Sequence, residues 1–540
     1  MQSFKYLLFM AALLFFAAGC KKSLDESVYD FYSPNNLYKT PADAEAAVTG
    51  LYGHLHSWDF YKSPALFSED VDHDHIVGPL WNMGGVGAGN YTGSFVINGL
   101  WHGYYYLISQ VNTIMDKVPA IKIEPDSTRN RILGEAYFFR GWSYFNLVRL
   151  WGAVPIRLEN PTNGSRDMGR SSVEEVYQQA INDLQEAEKL LPPKGGSFTG
   201  AVGKVTKGTA KAMLAKVYLT MASGALSGAQ LSVRGGADNA LYTYTKDVVK
   251  GHEQMDSKTL FAKARDKALE VMQSKEYDLM PTFMGIWGRA NKNNKEFLWE
   301  LQTMDNNDYG TLLQNYYSAP WYGGNSYYWM SANLYNSYSD TDARSSDGIF
   351  HQYFMYGAWM FYPERDSLKY QQAPGGYTAK FYKEYSHPFT KKYWIGTDTE
   401  IGANGTTVRT GNRDCNVPLL RYADVLLMFA EAENEAEGGP TSRAYDALNA
   451  VRQRSKETVA KGLSQQAFRS LVFDERGKEF YQEANRRFDL VRWGVYLQVM
   501  NKLATVENVI KTRENKNLLY PIPQDELNAN KLLKENNPGW

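Results

Sequence analysis

The feature that most constrains this chain is a set of apolar stripes with a 3.6-residue period, several of them preceded by a helix-start signal. Thr40, Pro41 and Asp43 suit the N-cap, the first turn and the acidic N-terminal end of a helix. The segment 172–175 (SVEE) has the spacing of a capping box, and the stripe behind it stops at Pro192-Pro193. Further helices are predicted over residues 129–149, 206–223, 259–274, 421–436, 441–456 and 465–485. The chain is therefore expected to be mostly α-helical.

Several of these predicted helices form pairs joined by short turns. Within one of them, Ala210, Ala212 and Ala215 interleave with Leu214 and Tyr218, a pattern that suits close packing of antiparallel helices. No strict repeat of about 34 residues is found, so the sequence predicts an irregular tetratricopeptide-like array of helix pairs.

Two long segments, 64–100 and 281–415, break the helical period. Loops of this length in a compact protein are usually functional or disordered, and the aromatic content of these segments argues against disorder. The segment 316–330 (YYSAPWYGGNSYYWM) has seven aromatic residues in fifteen. Sugar rings pack on the faces of Trp and Tyr, so exposed rings here would bind a carbohydrate; the alternative is that they fill the core beneath the loops.

The N-terminal end indicates export. Twelve apolar residues, Leu7 to Ala18, match a signal-peptide core and fall short of the roughly 20 residues needed to span a bilayer. Small residues at 17–19 precede Cys20, which predicts a lipoprotein signal over 1–19 and acylation of Cys20; an ordinary secretory leader with a chance cysteine is the alternative. Only Cys20 and Cys415 are present, so a disulfide scaffold is excluded. The net charge of -1 argues against nucleic acid as a partner.

Three motifs with catalytic or ligand-binding potential have simpler interpretations. The segment 70–75 (DVDHDH) alternates possible metal ligands, but an extended chain would divide them between two faces, which favours a solvated loop or a capping role. The glycines of 84–89 lack the spacing of a nucleotide-binding loop. Glu475, Glu479 and Glu483 would line one helix face beside several arginines, which favours a structural ion-pair network over a glycosidase pair.

Several segments together resemble the SusD/RagB family of nutrient-binding outer-membrane lipoproteins of the Bacteroidetes. The resemblance extends in order over essentially the whole chain after the leader. The segments that carry it are GEAYFFRGWSYFNLVRLWGAVPI (134–156), TKGTAKAMLAKVYLTMA (206–222), PLLRYADVLLMFAEAENE (418–435), ALNAVRQRS (447–455), ERGKEFYQEANRRFDLVRWG (475–494) and the closing LLYPIPQDELNANKLLKENNPGW.

The resemblance implies a fold and a role. It implies an irregular tetratricopeptide-like helix-pair array whose long, aromatic, loop-rich insertions form the ligand face. The implied divisions are the signal peptide (1–19), an anchor and linker (20–39), an N-terminal helical region (40–280) and a C-terminal region with the aromatic loops (281–540). The protein would be anchored by lipid at Cys20 to the outer membrane, facing outward. It would capture an oligosaccharide for a SusC-like TonB-dependent transporter, without catalysis. No cofactor or metal ligand is identified in the sequence, which leaves open whether a structural calcium is bound.

Comparison with the loops of the starch-binding member suggests the ligand-binding residues Trp81, Asn82, Trp287, Trp321 and Tyr322. Three alternatives remain at this stage. One is a surface glycoside hydrolase that uses Glu479 and Glu483, the second is a peptide-binding protein, and the third is a purely structural lid of the transporter.

Overall fold

The computed structural model describes residues 38–62, 70–161, 166–196, 202–236, 238–395 and 414–540. The leader and Cys20 lie outside these ranges. Helices within them are α1 (Pro41–His54), α2 (Leu80–Met83), α3 (Phe95–Lys117), α4 (Asp126–Trp151), α5 (Val173–Leu190), α6 (Lys207–Ala225), α7 (Ser257–Ser274), α8 (Leu313–Tyr317), α9 (Ala332–Tyr335), α10 (Ala343–Ser346), α11 (Ser367–Tyr370), α12 (Tyr422–Ala436), α13 (Ser442–Arg454), α14 (Gln465–Glu479), α15 (Arg486–Arg492), α16 (Tyr496–Leu503) and α17 (Gln524–Ala529).

The strands are short and pair two at a time. They are β1 (Ile76–Val77), β2 (Gln230–Gly235), β3 (Ala240–Thr245), β4 (Phe297–Leu301), β5 (Trp329–Met330), β6 (Ile349–Phe350), β7 (Gln352–Met355), β8 (Ala358–Phe361), β9 (Phe389–Thr390), β10 (Val417–Arg421), β11 (Thr505–Val506) and β12 (Val509–Ile510). The antiparallel pairs are β1–β5, β2–β3, β4–β10, β6–β9, β7–β8 and β11–β12. The prediction of a mostly α-helical fold is confirmed.

The predicted helix starts are confirmed by their hydrogen bonds. In α1, Thr40 Oγ1 accepts from the Asp43 amide at 3.2 Å, and Asp43 Oδ2 accepts from the Thr40 amide at 2.8 Å. In α5, Ser172 and Glu175 form the same reciprocal arrangement. These bonds satisfy backbone N–H groups that have no partner within the helix.

The long helices form a continuous array in which each packs on the next. The contacts run from α1 to α3, then through α4, α5, α6 and α7, and on to α12, which also packs on α13 and α14. Because α7 ends at Ser274 and α12 begins at Tyr422, the long segment between them leaves the array and returns to it. The predicted array of helix pairs with a loop-rich insertion is therefore confirmed.

Short strand pairs attach the two irregular segments to each other and to the array. β1 pairs with β5, with Ile76 opposite Met330 and Val77 opposite Trp329. β10, which leads directly into α12, pairs with β4 at the start of the insertion. The loops are thus held by backbone hydrogen bonds as well as by side chains.

The prediction of one helix over 465–485 is wrong. Helix α14 ends at Glu479, and a new helix begins at Arg486. Between them, Gln482 and Ala484 have positive φ angles of 62° and 53°. The turn has no Gly or Pro signal, and its carbonyls are bound by residues distant in sequence. Lys392 Nζ donates to Glu479 O at 2.9 Å and to Tyr481 O at 2.7 Å. Tertiary contacts therefore stabilise a turn that local pattern does not predict.

The main apolar cluster extends along the chain from Ala44 to Leu533 and contains residues from both sides of the predicted boundary at 280. The division of the chain at that residue stays a prediction. Among the described residues, no helix combines the length and the hydropathy required to cross a bilayer.

Candidate functional site

The five residues predicted to bind a ligand occupy different environments. Trp81 lies in the short helix α2, and 70% of its surface is exposed. Asn82 is half-buried, and its Nδ2 donates to the carbonyl of Tyr327 at 3.3 Å. Tyr322 is half-buried and stacks on Phe350 with ring centroids 4.0 Å apart.

The other two predicted rings are covered by protein. Trp321 is 9% exposed, and its ring centroid lies 4.9 Å from that of Trp359. Trp287 is 6% exposed, with the Lys392 ammonium 5.0 Å and the Arg421 guanidinium 5.3 Å from its ring centroid. A ring in this position supports the loops and presents no free face for a sugar. Trp287 and Trp321 are therefore core residues beneath the loops, whereas the exposed ring of Trp81 can contact a ligand.

Trp81 belongs to a larger group of rings, which we call the aromatic face and in which Trp81, Tyr356 and Tyr385 are exposed while Tyr316 and Tyr327 are half-buried. Its ring lies edge-on to that of Tyr327 at 5.2 Å, and Tyr327 in turn lies 4.9 Å from Tyr316. The β1–β5 pair brings these loops together, and their approach is close: a Cβ on Gly78 would lie 2.3 Å from the Tyr327 carbonyl oxygen. The aromatic face comprises Trp81, Tyr316, Tyr327, Tyr356 and Tyr385.

Two members of the aromatic face, Tyr356 and Tyr385, lie outside the aromatic segment 316–330. Tyr356 is at the tip of the β7–β8 hairpin, is 74% exposed and has its ring 5.2 Å from that of Tyr385. Ser326, next to Tyr327, lies 3.9 Å from the sulfur of Met355, which connects the hairpin to the rest of the face. Sequence reasoning missed these residues. The available signal was the Tyr-Gly dipeptide at 356–357 between two short apolar runs, which is typical of a hairpin.

The acidic and histidine-rich segment 70–75 is buried, so its interpretation as a solvated loop is wrong. Arg486 forms a bidentate pair with Asp74, at 2.9 and 2.7 Å. Arg487 and Arg513 both bind Asp72, at 3.0 and 2.8 Å. Burial alone would raise the pKa of Asp72, but the two guanidinium groups outweigh it and lower that pKa to about 2. Among the described residues, no His, Cys, Asp and Glu side chains are grouped as ligands for a metal ion.

The glutamates near the end of α14 form the ion-pair network that the sequence predicted. Glu479 accepts from Arg421 at 3.0 Å and also pairs with Arg454 and Arg344, and Glu483 pairs with Arg421 at 2.7 Å and with Lys392. Glu483 lies in the turn after α14, so it does not share the helix face with Glu479. Burial raises the pKa of Glu479, and Arg454, Arg421 and Arg344 together lower it below its usual range. A general acid needs the opposite shift.

Two protein-family models together match most of the chain. A model described as "SusD family" matches residues 295–540. A second, described as "Starch-binding associating with outer membrane", matches residues 35–219. The two matches contain α2, the β4–β10 pair and the loops that form the aromatic face.

Whole-length relatives have the same organisation. SusD-like protein P25 of Formosa agariphila is 25% identical over 97% of this chain and 96% of its own length. A SusD homolog from Bacteroides thetaiotaomicron superposes with a TM-score of 0.75 at 21% identity, over 94% of this chain and 98% of that one. Surface glycan-binding protein A from the same organism superposes with a TM-score of 0.69 at 18% identity, over 93% of this chain and 99% of that one. At these identities the structural matches establish a shared fold.

Proposed function

Because the chain belongs to the SusD/RagB family, we propose that it is a cell-surface lipoprotein that binds an oligosaccharide and delivers it to a SusC-like TonB-dependent transporter. The description of the N-terminal family model supports carbohydrate binding and association with the outer membrane. The name of the glycan-binding protein that shares the fold supports the same class of ligand.

The observation that carries the proposal is the exposure of the aromatic face. Trp81 and Tyr356 are 70% and 74% exposed, and large aromatic side chains are normally covered in a folded protein. Asn82 lies beside Trp81 and supplies a side-chain amide next to the rings. Flat rings with neighbouring amides suit a pyranose, whose C–H faces pack on the rings while its hydroxyls form hydrogen bonds. We therefore assign ligand contact to Trp81, Asn82, Tyr327 and Tyr356.

We further propose that the protein binds its ligand without cleaving it. The carboxylates of the glycosidase alternative, Glu479 and Glu483, lie on side chains that are 0% and 4% exposed and are paired with arginine and lysine. Arg454, Arg421 and Arg344 lower the pKa of Glu479, so this carboxylate stays ionised and cannot donate a proton to a glycosidic oxygen. Incubation of the protein with a panel of polysaccharides should release no reducing ends, and their release would contradict this part of the proposal.

The first prediction concerns Trp81. Trp81→Ala should weaken binding of the cognate oligosaccharide by about 1–3 kcal/mol, as for other ring-stacking platforms, measured by isothermal titration calorimetry against a broad oligosaccharide panel. Trp58→Ala is the matched control, because Trp58 is also exposed, at 57%, and lies outside the aromatic face. That variant should bind normally.

Three results would contradict the proposal. Heat with peptides and none with oligosaccharides would favour a peptide-binding protein. Heat with neither class would favour a purely structural lid. Equal affinity of Trp81→Ala and wild type for a bound oligosaccharide would exclude Trp81 from the site.

A further inference from the structure

The structure also contains a concave region that shares no lining residue with the aromatic face. It is a cavity of about 450 Å³ between the β2–β3 hairpin, one face of α14 and the segment 333–337, and we call it the hairpin cavity. Its volume falls within the range of small-ligand sites, about 300–1,000 Å³. Asp74, His75 and Arg486 also line it.

The hairpin cavity contains polar groups with unused hydrogen-bonding capacity. Arg486 donates from Nε and Nη2 to Asp74, whereas its Nη1 forms no hydrogen bond with any described residue. His75 Nε2 lies 3.3 Å from Asp74 Oδ2, and the other ring nitrogen, Nδ1, is buried and makes no hydrogen bond within the part of the chain that the structure describes. Burial lowers the pKa of His75 to about 3, consistent with a neutral ring.

The charges around the hairpin cavity do not cancel. Its charged lining residues comprise three cations, Arg234, Lys478 and Arg486, and two carboxylates, Asp74 and Asp474. Both carboxylates are engaged, Asp74 by Arg486 and Asp474 by Lys478 at 2.8 Å. The positive charge in excess is that of Arg234, an exposed lining residue with no carboxylate partner among the described residues, and it would attract a bound anion through solvent. Among the neutral lining residues, the apolar ones are Val233, Leu241, Leu334, Ala467, Leu471, Phe473 and Leu503.

We propose that the hairpin cavity is a second binding site, for a single acidic sugar ring of the hexuronate class. The ring carboxylate accepts from Arg486 Nη1, and a ring hydroxyl forms a hydrogen bond with His75 Nδ1. Both contacts satisfy groups that are otherwise unpaired, and the apolar wall packs on the C–H faces of the ring. This site acts independently of the aromatic face.

The test uses glucuronate, glucose and acetate, each titrated into the intact protein and followed by saturation-transfer NMR and calorimetry. Glucuronate should bind, glucose should bind at least about tenfold more weakly because it lacks the charge, and acetate should not bind detectably. Trp81→Ala should bind glucuronate like wild type. Equal binding of glucose or acetate, loss of glucuronate binding in Trp81→Ala, or no glucuronate binding would each overturn the proposal.

Cavity-filling variants localise the binding without removing a buried charge. Ala467 and Leu241 lie on opposite walls and are both exposed, so Ala467→Trp and Leu241→Trp should fill the cavity while the fold is retained. Each should weaken glucuronate binding by about tenfold or more. Ala46→Trp, on the exposed side of α1, is the matched control and should bind normally. Unchanged glucuronate affinity in both filling variants, with circular dichroism showing intact helices, would overturn the assignment.

Discussion

Asp72 shows how this protein stabilises a buried charge. Its carboxylate is fully buried and accepts from Arg487, Arg513 and the hydroxyls of Tyr91 and Tyr496. An unpaired charge at this position would be strongly destabilising, but these partners satisfy the carboxylate oxygens. The pairs also join the 70–75 segment to α15 and to the chain near residue 513. The segment that leads to Trp81 is thereby held in place.

Asp72→Asn should lower the free energy of unfolding by about 3–5 kcal/mol, because it leaves two buried guanidinium groups without their counter-charge. Urea denaturation at neutral pH measures the loss. Asp340→Asn is the control: Asp340 also pairs with an arginine, Arg365, but is 86% exposed, so its loss should change stability little.

The difference in unfolding free energy between wild type and Asp72→Asn should depend on pH in a defined direction. The folded-state pKa of Asp72 is about 2, below the usual value of 3.8, so the stabilisation is complete above pH 3.8 and is lost as the pH falls toward 2. The gap in unfolding free energy between wild type and Asp72→Asn should narrow over that interval. A gap that stays constant from pH 5 to pH 2 would show that Asp72 is not ionised in the folded protein.

At the scale of single elements, sequence motifs predict the structural features that are formed by residues close together in the chain. The capping box of α5 is formed by residues three apart, so its chemistry is complete within one helical turn. The end of α14 is different, because Lys392, about ninety residues earlier, binds the carbonyls of the turn that follows. The starts of α1, α4 to α7 and α12 to α14 are accordingly predicted within a few residues, whereas helix α3 and the break between α14 and α15 are not predicted.

Ser172→Ala should destabilise the protein by about 1 kcal/mol, because the amide of Glu175 loses its acceptor. Thermal denaturation followed at 222 nm measures the change. The matched control is Asn182→Ala, an exposed position within the same helix, where alanine is at least as good a helix former. A loss of stability in Asn182→Ala as large as that in Ser172→Ala would show that the effect does not come from the cap.

At the scale of the whole molecule, the helical array serves as a frame for the irregular segments. Helices α7 and α12 pack together although more than a hundred residues separate them in sequence. The insertion between them carries Tyr316, Tyr327, Tyr356 and Tyr385 of the aromatic face, and the β1–β5 pair brings its Tyr327 beside Trp81. A rigid frame with variable loops is a common way to position binding residues.

Attachment of the whole protein to the membrane is predicted to depend on Cys20, which lies outside the described residues. Cys20→Ala should move the protein from the membrane to the soluble fraction, because two or three acyl chains, at about 0.8 kcal/mol per buried methylene, supply the anchor. Cells that lack the proposed SusC-like transporter should be used, so that binding to it does not retain the variant. Cys415→Ala is the control, since Cys415 is buried in the core and should not affect attachment. Membrane retention of Cys20→Ala in those cells would contradict the prediction.

The sequence by itself determined most of the long helices, their array and the family, because capping, periodicity and small-residue packing depend on residues that are close together in the sequence. It also indicated which segments carry aromatic side chains. The tertiary structure decided which of those rings are exposed: Trp81 at 70%, against 6% for Trp287 and 9% for Trp321. The tertiary structure also decided that the carboxylates of Asp72 and Asp74 in the 70–75 segment are buried and paired with arginines. Exposure and charge pairing depend on residues distant in sequence, such as Arg486, Arg487 and Arg513, so only the folded chain brings them to the segments they satisfy.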